Sequence, residues 1–486
     1  MPIRVYNTLT KQKEQFVPRE AGKVAMYVCG VTPYNHPHIG NARPFLTWDV
    51  IRRYFEYKGF VVTHVQNFTD IDDKIIKTAQ KEGRSWLDIA NCYTEAYFEA
   101  MDKLNIQRAH IYPKVSEHIP EIIAMVEVLV NKGFAYQMDG DVYYSVNKFD
   151  DYGKLSGRTL EDMKAGARVD IDERKQHPMD FALWKSAKPG EPAWESPWGP
   201  GRPGWHIECS AMAQKYLGSG FDFHGGGSDL IFPHHENEIA QSEACIDEGP
   251  FVHYWLHNGF ITINEEKMSK SLGNFFLVKD ILEHFPPEVL RFFVLSTHYR
   301  SQLDFSDSKL VEAEKALSRL KNTLETLGGF ARKNCSLNAF EQANSSVATH
   351  LQELEKARNG FCEAMDDDFN TAQAIAVLFD LARATNSLIN VSAELPEVEF
   401  CYAMKQTEEV FLELGGVLGF FGNEQNKVDS DGDAELIESL MQIIIQVRQQ
   451  ARQAKDWATA DLVRNRLQEI GVILEDTPQG PRWKKK

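Results

Sequence analysis

The segment VAMYVCGVTPYNHPHIGNARPFLTWDVIRRYFEYKGFVVTHV, residues 24–65, constrains this chain more than any other. Residues 24–28 (VAMYV) are continuously apolar and 61–65 (VVTHV) carry three valines, the pattern of strands buried in a parallel sheet. Between them, helical spacing over about 45–57 is stopped by Gly59. Two buried strands joined by a helix pair in parallel, because the crossover returns the chain to the same end of the sheet. Parallel sheets bind ligands beyond the carboxyl ends of their strands, and phosphates favour the helix N-terminus, where unpaired N–H groups concentrate positive potential. Cys29 and His38 both fall in that first strand-to-helix connection. A thiol so close to a phosphate-handling turn needs a reason.

The remainder has the composition of a soluble globular protein. At 486 residues, 43% hydrophobic and 25% charged, the chain has material for about three or four domains. No apolar run approaches the roughly 18–20 residues of a membrane span, and MPIRVYNTLTKQKEQF lacks the apolar core of a secretory signal. A cytoplasmic protein without a membrane partner is expected. Seven cysteines without regular spacing argue for reduced thiols, so a cysteine in function is a ligand or a nucleophile. The net charge of −17 excludes indiscriminate nucleic-acid binding, DNA included, but not a local basic face. Arg448, Arg452 and Lys455 fall on one helical stripe, followed by Arg464, Arg466 and the terminal Lys484, Lys485 and Lys486.

Composition also divides the chain. Residues 119–204, with KPGEPAWESPWGPGRPG and short strands around 141–146, interrupt the α/β pattern of 1–118 and read as an insertion. The pattern resumes over 205–243, and 244–307 carries the polar turn EEKMSKSLGNF, which taken alone is a solvated loop. Residues 308–422 have apolar positions three and four apart and read as a helical bundle. A polar linker, 423–434, precedes a last helical region over 434–471, within a segment, 435–486, that ends in ILEDTPQGPRWKKK. The acidic run in the linker is not a calcium loop, because its glycine stands fourth from Asp429 where the sixth position is required.

The densest chemistry is GWHIECSAMAQKYLGSGFDFHGGGSDLIFPHHENEIAQSEA, residues 204–244. Its glycine triplet suits close backbone approach to a ligand. On a helix, His234 and Glu238 lie about 40° apart around the axis and about 6 Å along it, so one metal can take both. His235, Glu236 and His224 compete with them, and taken singly Cys209 reads first as a small buried hydrophobe and His234 as a packed histidine.

A His-Ile-Gly-X tetrad in the first strand–helix turn, followed in this order by Lys-Met-Ser-Lys-Ser, is the two-part signature of class I aminoacyl-tRNA synthetases. RPGWHIECSAM, FHGGGSDLIFPHHENEIAQSEA, KMSKSLGN and LEDTPQG narrow the match. Along essentially its whole length the chain resembles the cysteinyl-tRNA synthetases. The resemblance implies a Rossmann-type parallel-sheet catalytic domain (1–118 and 205–243) split by a connective insertion (119–204). A stem-contact region (244–307), an α-helical bundle (308–422) and a small C-terminal anticodon-binding domain (435–486) would follow. It implies ATP, L-cysteine and tRNA-Cys as partners, Mg2+ with the ATP, and a monomer. The reaction would be attack of the cysteine carboxylate on the α-phosphate, then transfer of the cysteinyl group to the terminal adenosine of the tRNA.

By the same resemblance Cys29, Cys209, His234 and Glu238 are ligands of one Zn2+. Two thiolates, an imidazole and a carboxylate form a sensible zinc set, and a substrate thiol can bind there as thiolate where a hard, neutral hydroxyl gains little. Serine would then be rejected at selection, with no need for an editing site. Trp205 is expected to close over the bound cysteine, its alternative being a core aromatic, and Thr32 to lie near the substrate. His38 and Asn41 would face the phosphates, Gly40 would leave room for adenine, and Gly226 and Asp229 would lie near the nucleoside. Asn41 stands where the family most often has histidine; it remains a donor but cannot be cationic. Lys267 and Lys270 would bring two positive charges to the pyrophosphate. Base reading is expected near Asp476 and Trp483, with a solvated charged tail as the alternative, and the basic stripe Arg448, Arg452 and Lys455 would be the electrostatic footprint.

Two other readings are weaker. A ligase of the same ancestry that joins cysteine to an amino sugar lacks the C-terminal domain, and a non-catalytic, zinc-containing RNA-binding protein would have lost His38 or the lysine loop. Both features are intact.

Overall fold

Residues 2–161, 175–246, 249–263, 266–267, 276–331, 344–422, 431–469, 471–477 and 480–485 are described by a computed structural model. The chain starts in an antiparallel hairpin, β1 (Arg4–Asn7) and β2 (Gln12–Gln15), in a stretch too short and polar to announce itself. Then come β3 (Lys23–Val31), α1 (Ile39–Tyr57) and β4 (Val61–Phe68), with Val24 opposite Val62 and Val28 opposite Gln66 in a parallel pair. The helix starts at Ile39 and not near 45. Pro44 lies inside it, and the residue before a proline resists helical backbone, which delays the start read from sequence. Here a complete N-terminal cap on His38 outweighs that resistance.

α2 (Asp73–Glu82), α3 (Trp86–Lys103) and α4 (Ile119–Asn131) lead into the inserted sheet, β5 (Ala135–Met138), β6 (Asp141–Tyr144), β7 (Phe181–Ser186) and β8 (Gly201–Pro203), antiparallel throughout. The chain returns through α5 (Trp205–Leu217), β9 (Phe221–Gly227), α6 (Glu236–Cys245) and β10 (Val252–Asn258). The four-stranded sheet has the order β10-β9-β3-β4, every pair parallel. From β3 the chain leaves to one side for β4 and comes back on the other side as β9. That reversal opens a crevice at the carboxyl ends of β3 and β9, where such sheets bind ligands. The core does not respect the insertion: Tyr27, Cys209 and Trp255 of the parallel layer share one cluster with Val142, Tyr144 and Trp184 of the inserted sheet.

β11 (Ile261–Ile263), β12 (Glu266–Lys267), α7 (Val278–Leu282), α8 (Pro287–Leu295) and β13 (Leu303–Phe305) follow, with β11 central in a three-stranded sheet. The apolar spacing over 308–422 forms helices α9 (Asp307–Ala331), α10 (Ser345–Asp366), α11 (Thr371–Asn390) and α12 (Glu397–Val417), burying leucines such as Leu320, Leu378 and Leu414.

The chain forms two compact units, Met1–Phe420 and Phe421–Lys486. In the second, the helical region expected over 434–471 is two helices, α13 (Asp431–Gln453) and α14 (Trp457–Glu469), broken where Lys455 takes a φ of 62°. The final residues pair as β14 (Val472–Thr477) and β15 (Gly480–Lys485), with Leu474 opposite Trp483, so they are not a loose tail. Arg448 is buried while Arg452 and Lys455 are exposed, which interrupts the expected basic stripe. Among the described residues no helix is long and apolar enough to cross a membrane.

Candidate active site and metal centre

His38 caps α1 with an extended backbone (φ −101°, ψ 166°). Its Nδ1 accepts the Asn41 backbone N–H at 3.2 Å, and its own backbone N–H donates to Asn41 Oδ1 at 3.2 Å. This reciprocal box explains the asparagine: a short amide at the third helical position closes the cap. An Nδ1 that accepts leaves the ring proton on Nε2, so the imidazole is a neutral donor, and Asn41 retains its side-chain N–H groups as donors. Both residues line a cavity of about 250 Å3 with Thr32, Lys74, Trp205 and Asp229. Gly40 lies half-buried in the first turn behind them.

Beside this cavity four side chains converge from four elements. Cys29 stands at the carboxyl end of β3, Cys209 on the second turn of α5, His234 in the wide turn before α6 and Glu238 in the first turn of α6. The residue after Cys29 has to be glycine, because a Cβ on Gly30 would sit 1.5 Å from the Asn67 carbonyl oxygen; its N–H donates to Asn67 Oδ1 at 2.9 Å. The ligand atoms of Cys29, Cys209, His234 and Glu238 all lie within 4.8 Å of one another, and all four residues are buried. Cys29 Sγ is 3.9 Å from Cys209 Sγ and 3.7 Å from Glu238 Oε1, and His234 Nε2 is 2.9 Å from Glu238 Oε1. A tetrahedral zinc with Zn–S near 2.3 Å separates two thiolate sulfurs by about 3.8 Å, so the donor set fits the ion in size and in chemistry.

Of the competing candidates, Glu236 falls outside the cluster and the two histidines do not. Glu236 turns away and accepts backbone N–H groups of the insertion, from Gly153 at 3.0 Å and Ser156 at 2.8 Å. His224 Nε2 lies 2.8 Å from Glu238 Oε2, and His235 Nε2 lies 3.2 Å from Cys29 Sγ. With Cys29 and Glu238 these two histidines form a second, overlapping quartet. Behind the first quartet, His234 Nδ1 is 2.9 Å from His206 Nδ1. His235 Nδ1 is 2.7 Å from His257 Nε2, and the His257 ring reaches Thr8 Oγ1 at 2.8 Å. Outer contacts of this kind fix ring orientation and tautomer in metal sites.

The electrostatics favour a cation. A hydrogen bond from Cys29 holds the Cys209 thiol down at about 6, with His234 adding to the effect. Burial alone pushes Glu238 up, but His224 and His234 outweigh it and leave the carboxyl at about 2. Burial pushes His234 down, and Glu238 and Cys209 reverse that, to about 10. Burial raises Cys29 well above the usual thiol range, Cys209 and Glu238 adding to it. A buried pocket holding a thiolate and a carboxylate is poised to exchange protons for a metal ion.

Trp205 is 41% exposed, so it is no core aromatic; its ring stacks on His234 at 4.3 Å and 26° and forms a wall between cluster and cavity. Gly226, one residue before the end of β9, lies beside the cluster, where an added Cβ would be 3.7 Å from that of Cys29. Lys267 belongs to β12, opposite Thr262, whereas Lys270 lies outside the described residues. Asp476 and Trp483 are on opposite strands of the C-terminal hairpin, and Trp483 Nε1 donates to Glu438 at 3.1 Å. Sequence reasoning missed Asn67, Lys74, His206 and His257. Asn67 and His257 stand at the carboxyl ends of β4 and β10, where ligands of a parallel sheet are expected, and that rule alone points to them.

Comparison with known proteins agrees along the chain. Residues 15–315 match the tRNA synthetases class I (C) catalytic domain, 360–422 the DALR domain, and 441–483 the cysteinyl-tRNA ligase anticodon binding domain. The chain is 55% identical over 490 residues to a cysteine–tRNA ligase of Heliobacterium modesticaldum, covering 100% of both chains. It is likewise 55% identical to that of Pelotomaculum thermopropionicum, covering 99% of this chain and 100% of the relative. Among solved structures, Mycobacterium tuberculosis methionyl-tRNA synthetase in complex with methionyl-adenylate superposes with a TM-score of 0.62 at 15% identity, over 82% of this chain and 91% of that one. At that identity the likeness shows the shared fold.

Proposed function

The chain belongs to the cysteine–tRNA ligase family, and on that premise we propose that the buried Cys29–Cys209–His234–Glu238 cluster is a zinc site that selects the substrate thiol. The enzyme activates L-cysteine with ATP and transfers the cysteinyl group to tRNA. What supports the selecting role is the placement of the cluster: four buried zinc-type donors stand next to the cavity that His38 and Asn41 line, behind Gly30, the neighbour of Cys29, and Trp205, which stacks on His234, both of which line it. Zinc, when bound, supplies a soft Lewis-acid position that a thiolate fills and a hydroxyl does not.

The chain's own residues do the rest by position. Trp205 packs over the thiol end of the substrate, and Thr32 lies along it. His38 donates from Nε2, and Asn41 from its amide, to phosphate oxygens. Gly40 lets the nucleoside approach α1, and Asp229 and Gly226 border the ribose side. Lys267 and Lys270 neutralise charge that builds on the departing pyrophosphate, with Mg2+ carried by the ATP. The carboxylate oxygen of cysteine then attacks the α-phosphorus and pyrophosphate leaves. Next the ribose hydroxyl of the terminal adenosine attacks the aminoacyl carbonyl, and AMP leaves. Neither step needs a covalent enzyme intermediate, so catalysis consists of orientation and preorganised charge. The second unit reads the tRNA, with Asp476 and Trp483 near the bases and Arg452 and Lys455 on the backbone. The finer division at 118/119, 204/205, 243/244, 307/308 and 422/423, and a monomeric state, belong to the same proposal.

Amino-acid-dependent ATP–pyrophosphate exchange without tRNA tests this. Cysteine alone is expected to support exchange, with serine and methionine at background, and chelation of the metal is expected to remove it. Exchange with serine at a rate comparable to cysteine, or full exchange after chelation, would reject the selecting role. A second outcome concerns Trp205. Trp205→Ala is expected to raise KM for cysteine about fivefold with little change in kcat, as the loss of one aromatic contact worth about 1 kcal/mol predicts. An unchanged KM would remove Trp205 from the cysteine site.

A further inference from the structure

Arg43 is buried on α1, just past the residues that form the phosphate-side turn, and is 1% exposed. Among the described residues no carboxylate pairs with it. Its Nη1 donates to the carbonyls of Gly259 at 2.8 Å and Phe260 at 2.7 Å, and its Nη2 to those of Tyr299 at 3.2 Å and Ser301. Burial pulls the guanidinium down to about 10. A buried cation without an anion is costly, and an apolar side chain of similar volume fills such space with less penalty. The charge is therefore there for what it holds.

What it holds is the fork of the three-stranded sheet. Gly259 and Phe260 lead into β11, and Tyr299 and Ser301 lead into β13; β11 then pairs with β12, so that Thr262 faces Lys267. The two segments touch closely enough that a Cβ on Gly259 would be 2.4 Å from the Ser301 carbonyl oxygen, so carbonyl dipoles crowd at one point and a cation relieves them. Tyr299 is fixed from its other end, its hydroxyl donating to the buried Asp368 at 2.8 Å. On the far side of the lysine-bearing segment the chain is tied to α1 again: Ile39 N donates to Phe276 O at 3.0 Å and Val278 N to Pro37 O at 2.9 Å.

We propose that Arg43 is a positioning residue for adenylate formation, setting the sheet that carries Lys267 at a fixed distance from the His38–Asn41 turn so that both act on one triphosphate. This rests on the assignment of those two groups to the ATP phosphates. None of Arg43's hydrogen bonds reaches Cys29, Cys209, His234 or Glu238, so the cysteine site is expected not to depend on it.

Full-length Arg43→Lys and Arg43→Met proteins test this by cysteine-dependent ATP–pyrophosphate exchange. A parallel titration of the cobalt-substituted proteins with cysteine reads the metal site without chemistry. The expected result is a cobalt–thiolate band that responds to cysteine as in the parent, with kcat for exchange down about 100-fold in the Met variant, the scale of an ångström-sized misplacement. Lysine keeps the charge but not the fork, so about a tenfold loss is expected there. Should the Met variant not fold, the Lys variant decides by the same pair of readings. Near-parental exchange in the folded variants overturns the proposal, and so does loss of the cysteine-responsive cobalt band in step with exchange, which marks a general structural role. Absence of exchange in the parent protein would instead reject the assignment on which it rests.

Discussion

Cys209→Ser protein is expected to fold, to lose its tightly bound zinc and to lose cysteine-dependent pyrophosphate exchange by at least about 1,000-fold, well beyond the 10- to 100-fold that follows loss of an outer partner. Serine nearly matches cysteine in volume, and Cys209 is buried against Cys29 and Asn67 in a pocket the hydroxyl can occupy. What serine cannot do is ionise. Cys209 is held down at about 6, so near neutral pH it presents a thiolate, whereas a hydroxyl presents a hard, neutral oxygen. Metal content by elemental analysis and exchange rate should fall together while the thermal transition persists. A variant that keeps one zinc per chain and exchanges near the parent rate would sink the assignment of Cys209. Zinc kept at full stoichiometry with exchange lost would place the ion on the overlapping Cys29–His224–His235–Glu238 set.

How far this centre was legible depends on which part is asked about. The strand–turn–helix–strand of residues 24–65 and the helical bundle were readable because each carries a single uninterrupted period. The phosphate-side turn was readable in kind but not in extent, since Pro44 masked a helix start that depends on two hydrogen bonds between His38 and Asn41. The metal quartet was not readable from spacing. Cys29 stands on β3 before the insertion and Cys209 on α5 after it, and only the return of the chain beside β3 as β9 brings them to one crevice. His224, His235 and Glu236 had equal standing in the sequence; Glu236 is excluded by the insertion's backbone, which no local pattern announces. The resemblance to a family carried the choice, and the geometry is consistent with it. The terminal hairpins escaped because short polar strands lack the alternation that marks a half-buried sheet. Arg448 misled for a related reason: a helical stripe gives the direction of side chains on one helix, not what packs against it.

The largest loss of stability from a single change is expected at Asp49. It is buried on α1, accepts from Arg53 Nε at 2.8 Å, from the Gln107 backbone N–H at 2.8 Å, and from the buried Arg291 of α8. Arg291 in turn donates to the carbonyls of Leu418 at 2.6 Å, Leu104 at 3.1 Å and Asn105 at 3.0 Å. One carboxylate therefore anchors the guanidinium that ties α1, the end of α3 and the end of α12 together. Asp49→Asn keeps the shape and strands the cation, and breaking a buried pair in this way costs about 3–5 kcal/mol. Burial by itself pushes the Asp49 carboxyl up, but Arg291 and Arg53 outweigh it and hold the group below its ordinary value. A carboxylate whose native pKa is depressed stabilises the fold fully above its unfolded value, about 3.9, and loses that contribution as pH falls through the native one. The gap between parent and variant in urea denaturation should accordingly be widest near neutral pH, begin to narrow below about 4, where the unfolded chain's carboxyl takes up a proton, and close once pH has fallen below the depressed native value, where the parent's own carboxyl is protonated and resembles the amide. A gap under about 1 kcal/mol at pH 7, or one that does not narrow in acid, would mean that hydrogen-bond geometry and not charge holds this junction.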